Sequence, residues 1–479
     1  LLVRTFEKPI PDLVELVLRA KTLQIFATTA ELVLIVVVVN IILGTIIATG
    51  LHFVRLPMPN FLVVPLILPL AIPSYVFTYT WMALFPSLSG ILASAFILIL
   101  TTMPYMFLAV LVALRRIDSG LLEVSRSLGL TNFQIFIRVV LPQIRGSISA
   151  GALLSGLYVM SDFGAVSLLN VETLTVAIQN MYRSSYDRSA AALISCLLIA
   201  ASMIFIFFNE KIKDQKTVLG IKRITHENSL FIRSTSLRIV VLVSVGLFGV
   251  LAVIMPFLVL LSRFFGNPKG IEVQSLLVAS LSTVSVSLMG ALIALALAAP
   301  LGILISQYGG RLSRLSERVI LVGHALPGVV IGLALVSLGS KLGALYQSTL
   351  LLAFAYSLLF LAKAVASIST SLQQVPSALK EVAATLGKSK ARITTSVVFP
   401  IALPSIGLGA LLVFLTSMKE LPATLMLRPT EFDTLATRIW SHTSINEFNE
   451  AAPYALILVL IAAIPTFLLS QMTGREQQN

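Results

Sequence analysis

The sequence predicts an all-α, polytopic membrane protein built from two parallel repeats of about six transmembrane helices each. Three observations carry that prediction. Hydrophobic residues fill 57% of the 479 positions and charged residues only 11%, with a mean hydropathy of +0.97. A soluble domain carries about 25% charge, so this chain has too little to cover a surface facing water. The apolar residues come in runs of about 20, the length a helix needs to cross the hydrocarbon core. Finally, one polar stretch recurs in the second half with its spacing intact.

The apolar runs lie at 28–53, 60–84, 91–114, 147–169, 189–208, 239–262, 277–306, 319–340, 346–368, 403–427 and 451–471, eleven in all. Between them, Lys and Arg gather in short loops: Arg115 and Arg116; Lys211, Lys213, Lys216, Lys222 and Arg223; Arg311, Arg314 and Arg318. The formal charge of +13 therefore follows the positive-inside rule, which marks a cytoplasmic face and attraction to anionic lipid, not a nucleic-acid surface. The single cysteine, Cys196, excludes a disulfide within the chain. The four histidines are scattered, no metal-ligand spacing appears, and no catalytic grouping of Ser, His, Asp or Cys emerges. No enzyme is expected.

The repeat is direct. Residues 114–129 read LRRIDSGLLEVSRSLG and residues 372–387 read LQQVPSALKEVAATLG. An offset of 258 pairs Glu123 with Glu381, Gly129 with Gly387, Pro142 with Pro400 and Gly151 with Gly409. Upstream, LAIPSYV at 70–76 is echoed by HALPGVV at 324–330. The chain divides into a first half, 1–237, with its polar segment at 115–142 and a basic linker at 209–236, and a second half, 238–479, with the matching segment at 373–400. Both copies sit in basic surroundings, so each repeat holds an even number of spans and keeps its orientation. The second half contains six runs and the first only five. Leu1 to Phe6 is accordingly expected to be the tail of a sixth span whose beginning precedes this sequence.

Each copy has the periodicity of an amphipathic helix. Leu114, Ile117, Leu121, Val124 and Leu128 fall three or four apart, as do Leu372, Val375, Leu379, Val382 and Leu386. A glycine follows, suited to a reversal at positive φ. Thirteen residues later comes a proline, tolerated at the start of the next helix. The triplet Gly387-Lys388-Ser389 looks like the end of a phosphate loop, but such a loop needs glycine where Val382 stands, and the first copy has Leu130 and Thr131 in place of Lys388 and Ser389. A nucleotide site is excluded there.

The spacing resembles the EAA signature of membrane subunits of ABC importers: Glu381, Ala383, Gly387, Val397, Phe399 and Pro400, and Glu123, Ser125, Gly129, Val139, Leu141 and Pro142. Ser125 replaces the usual alanine and Phe399 the usual leucine. LAIPSYVFTYTW at 70–81, SDFGAVSLL at 161–169 and KELPATLMLRPTEFDTLATRIW at 419–440 look like the ferric-iron branch, in which two halves are fused. The resemblance implies a type I importer permease in a bacterial inner membrane. It also implies two copies of a cytoplasmic ATPase, which bind ATP and Mg and grip the two coupling helices. A periplasmic or extracellular binding protein would deliver substrate, and this chain would hold no cofactor and no metal of its own. Thiamine, polyamine and phosphonate permeases share much of the pattern; a secondary transporter with two six-span halves is the more distant alternative.

The ATPase-coupling residues are thus Glu123, Ser125, Gly129, Pro142, Glu381, Ala383, Gly387 and Pro400. Ionisable groups inside spans mark pathways, because charge facing lipid is costly. Asp162 and the pair Lys419 and Glu420 lie about 20 residues past the prolines, roughly 30 Å along a helix and toward its far end. They are candidates for an outer gate, with Tyr105 and Tyr158 as cavity-lining aromatics. Tyr182, Arg183, Tyr186 and Arg188 fall in an external loop that could meet the binding protein.

Overall fold

The computed structural model describes residues 1–184, 188–213, 234–266, 272–308, 310–324, 326–341 and 343–475. Tyr186 and most of the basic linker (214–233) lie outside them. The described chain is helical, with no β-sheet. Seven of its helices are long and apolar enough to cross a membrane, or eight if one bent pair counts as a span.

Several runs expected to be single spans are broken, and the breaks fall at equivalent places in the two halves. The run 60–84 becomes Pro59–Ala71 and Ser74–Leu84, bent by 96°. Pro73 offers no N–H and holds Ile72 extended, which ends the first piece. In the second half Arg311–His324 and Gly328–Gly339 are likewise separate helices, with Pro327 extended ahead of Gly328. The run 147–169 stops at Ser161; Asp162 is extended and a short helix, Gly164–Leu168, follows. Its counterpart, Phe399–Met418, stops ahead of Lys419, and Pro422–Leu427 follows. Apolar length alone does not reveal a break, because each is made by one proline or one acid.

By contact, the chain forms two compact units: 14–177 with 200–265, and 1–13 with 178–199 and 266–479. Each is built around a trio of helices. In the first, Ala20–Phe53, Ile91–Leu114 and Leu141–Ser161 pack together; in the second, Val273–Gln307, Thr349–Gln373 and Phe399–Met418 do so. Small residues let the backbones approach. A Cβ on Gly151 would lie 2.9 Å from Met106 Sδ, and one on Gly409 would overlap Ser367. Each trio is tied to a later helix by one threonine: Thr29 Oγ1 accepts from Leu174 N at 3.0 Å, and Thr283 Oγ1 from Leu435 N at 2.8 Å. Those amides open Leu174–Ser184 and Leu435–Ser444, whose first-turn N–H groups have no partner within the helix. In the first unit, Thr235–Phe265 also packs on Ala20–Phe53 and Pro59–Ile67.

Candidate functional site

The repeated stretches are short helices, Ser119–Ser127 and Ser377–Thr385, nine residues each. At 1.5 Å per residue they are about 14 Å long and cannot cross a bilayer. The five-residue apolar face expected in each copy is divided between two helices. Leu114 and Leu372 end the preceding spans and are fully buried. Ile117 and Val375 follow in the connecting turns, Ile117 half-buried and Val375 buried. The other three stand on the short helices or at their C-caps and point outward, with nearly equal exposure in both halves: Leu121 and Leu379 at 48% and 43%, Val124 and Val382 both at 58%, Leu128 and Leu386 at 75% and 74%. Ser125 and Ala383, one in each copy, are buried against the body, whereas Glu123 and Glu381 are exposed. The motif therefore requires a small residue because that residue is the anchor.

Both short helices end alike. Gly129 and Gly387 have φ of +77° and +76°. The amides that follow them bond back to the last turn: Leu130 N to Ser125 O at 3.2 Å, and Lys388 N to Ala383 O at 3.2 Å. This is the six-to-one closure of a Schellman cap, for which a left-handed residue is needed. Thr131 and Ser389 then cap the next turns, donated to by Gln134 N at 3.3 Å and Arg392 N at 3.4 Å. Ser389 is thus a helix cap, and Lys388 Nζ donates to Ser396 Oγ at 3.3 Å; neither belongs to a phosphate cradle. Ahead of each proline lies one π-helical turn, Phe136–Val140 and Thr394–Val398, 258 residues apart. Proline removes a ladder donor, and a π turn is one way to accommodate the gap.

The candidate gate residues form two unlike clusters, one per unit. In the first, buried Asp162 accepts a short bond from Ser74 Oγ, and its other oxygen accepts from Ala165 N at 3.0 Å and Val166 N at 3.4 Å. It caps Gly164–Leu168 and pins it to the first residue after the break in the preceding bent helix. The rings of Tyr105 and Tyr158 lie 6.1 Å apart, on helices of the same trio. In the second cluster, Glu420 Oε1 accepts from Ala423 N at 3.1 Å, and Thr424 Oγ1, which donates to Glu420 O at 2.7 Å, also meets the Tyr356 hydroxyl at 2.6 Å. Gly328 occupies the place of Ser74 and supplies no hydroxyl. A charge in electrostatic reach of Glu420 is Lys363 on Thr349–Gln373. Ser74 and Lys363 were not singled out by sequence reasoning. A lysine alone in an apolar run was a visible signal for the second; nothing in the sequence marks the first.

On the helix Leu174–Ser184, the Arg183 guanidinium lies 5.9 Å over the Trp440 ring. Asp433 takes salt bridges from both Arg428 and Arg438, the latter at 3.0 Å.

Residues 40–214 and 298–475 match the family described as the binding-protein-dependent transport system inner membrane component. The Fe(3+)-transport system permease protein FbpB 2 of Haemophilus influenzae is 32% identical over 476 residues, covering 98% of this chain and 94% of that protein. Sulfate permease 2, chloroplastic, of Chlamydomonas reinhardtii is 26% identical over 44% of this chain and 63% of its own length. The sulfate transport system permease protein CysT of Escherichia coli is 30% identical over 27% of this chain and 45% of its own. Membership implies an ATPase subunit and a substrate-binding protein as partners, and makes this chain a transport subunit, not an enzyme. With both halves matched and its apolar helices in a bacterial inner membrane, the chain belongs to the binding-protein-dependent permease family of ABC importers.

Proposed function

We propose that this permease imports ferric iron and that Ser119–Ser127 and Ser377–Thr385 are its two coupling helices, each seated in one subunit of a cytoplasmic ATPase dimer. The observation that carries the coupling role is the matched outward face of Leu121, Val124 and Leu128 with Leu379, Val382 and Leu386. Two equal surfaces suit two equal partners. A ligand shifts a conformational equilibrium only through unequal contacts with its states. ATP-driven closure of a dimer gripping both helices supplies such contacts without any nucleotide touching the permease. The rigid Schellman closure at each glycine and the buried Ser125 and Ala383 pass movement of the short helix into its unit. Asp162, Lys419 and Glu420, with Tyr105 and Tyr158, then serve as outer-gate or pathway groups.

The iron assignment is supported by the relative named as a ferric-iron permease, which spans nearly the whole chain, whereas the sulfate permeases match shorter parts. Uptake of radiolabelled ferric iron into cells carrying this permease, its ATPase and its binding protein is expected to exceed uptake of sulfate. Cysteines at positions 124 and 382 should each crosslink to the ATPase. Sulfate uptake without iron uptake would overturn the substrate, and absence of both crosslinks would overturn the coupling role.

A further inference from the structure

The offset of 258 that aligns the halves places Lys363 where the first half has Tyr105, and Thr416 where it has Tyr158. One half fills this position with two packed rings; the other puts a cation there. Lys363 stands ten residues before the end of Thr349–Gln373, about 15 Å from that end along the axis, farther than a lysine side chain snorkels. Among the described residues it has no ion pair within 4 Å. Its ammonium lies 5.1 Å from the Phe360 ring, and the residue as a whole is half-buried. Glu420 is near enough to feel its charge but is engaged with the Ala423 amide. Lys363 also lines an open pocket of about 330 Å³ in the unit 266–479, together with Ile305, Glu317, Ile320, Ala366 and Ser369. A cation in mid-span with an empty space before it and no bonded counter-charge is costly to keep, and such residues mark transport paths.

We propose that Lys363 is the fixed cation of an oxyanion-binding site in this pocket, taking a phosphate- or sulfate-like group that arrives either free or as a ligand on a hard cation. The chemistry is a charge-assisted N–H···O contact to a compact, multiply charged oxygen cluster, which an ammonium on a flexible stem makes as a point charge. Ser369, six residues along the same helix, adds a hydroxyl to the lining. Glu317, which shares the lining, keeps the site from holding a free anion tightly, which a transit site requires. A hard cation favours oxygen ligands, so an oxyanion bound to it lets a cationic side chain handle a cationic cargo. This deepens the iron reading and rests on the permease role.

The test uses the full transporter with its ATPase and binding protein in proteoliposomes, comparing wild type with Lys363→Met and Lys363→Arg. Radiolabelled phosphate should bind the wild-type permease, about tenfold more weakly or worse to Lys363→Met, and nearly normally to Lys363→Arg. Uptake of labelled ferric iron, delivered with and without phosphate, is measured beside uptake of labelled sulfate and phosphate. Iron uptake that depends on both phosphate and Lys363 supports the site and the iron reading together. Uptake of the free anion alone, lost in Lys363→Met, supports the site and overturns the iron reading. Iron uptake by the wild type that ignores the accompanying anion, with no phosphate bound, overturns the site and leaves iron standing; that arm needs no variant to fold.

Discussion

The two halves agree at one end of the repeat and differ at the other. Around the short helices they match in detail: the same three outward apolar residues, the same buried small anchor, the same left-handed glycine and the same π turn. Around the broken helices the backbone plan is shared but the chemistry is not. Asp162 is held by a serine hydroxyl and two amides, with Tyr158 in electrostatic reach and Tyr105 packed near that ring. Glu420 is held by one amide, with Lys363 in reach. On the proposed coupling role, a surface that meets two equal partner subunits is constrained to be the same twice. On the proposed pathway role, a path that meets one asymmetric cargo is not, and duplicated backbone leaves its side chains free to diverge.

The largest effects should come from breaking the matched surface. Val124→Asp combined with Val382→Asp places a charge in the centre of each docking face. Burying a valine side chain is worth about 1.5–3 kcal/mol, and burying an unpaired carboxylate costs more. Docking of the ATPase and substrate uptake should fall roughly a hundredfold, with unchanged permease abundance in the membrane. Each single variant should fall by about tenfold, and the two by similar amounts, since every 1.4 kcal/mol is tenfold. Copurification of the ATPase and initial uptake rates measure this. Strongly unequal single variants would mean that matched exposure does not reflect matched use.

An intermediate effect should separate the two acids. Hydrogen bonds to a charged group contribute about 1.5–3 kcal/mol, although neighbouring bonds do not add fully. Asp162→Ala removes the partner of three donors and should destabilise its unit by about 3 kcal/mol, while Glu420→Ala removes the partner of one and should cost about half of that. Thermal unfolding in detergent gives the order. Ser74→Ala should reproduce part of the Asp162 effect, and Gly328→Ser, whose new side chain would meet Glu420, is the converse change. A larger loss at Glu420 than at Asp162 would show that the electrostatic reach of Lys363 outweighs the amide count.

The short repeated helices were legible in the sequence because every part of them is local. An amphipathic helix, a glycine for a left-handed turn and a proline at a helix start all lie within about 30 residues, and repetition distinguished them from an ordinary basic loop. The membrane class was equally legible from apolar length. The breaks within spans were not, since Pro73 and Asp162 sit in runs whose hydropathy barely changes. The Ser74–Asp162 bond joins residues 88 apart and could not be read from spacing. Lys363 was visible as a lone charge, but its significance depends on the pocket in front of it and on the failure of Glu420 to reach it as a bonded pair, which are tertiary facts.

The smallest effect should also be the most symmetric. A Cβ added at Gly129 or at Gly387 meets nothing within 4 Å, so substitution there is opposed only by the backbone. An alanine in the left-handed region costs about 1–2 kcal/mol, whereas asparagine enters it more readily. Gly129→Ala and Gly387→Ala should therefore lower uptake modestly, by similar factors, through fraying of the cap that joins the short helix to Thr131 or Ser389. Asparagine at either position should restore most of the loss, because it keeps the left-handed turn while adding more bulk than alanine. That inversion of size and effect distinguishes a conformational requirement from a packing one. If asparagine instead proves worse than alanine at both sites, the space beyond the glycine is filled when the ATPase is bound, and the glycines serve the docked surface as well as the turn.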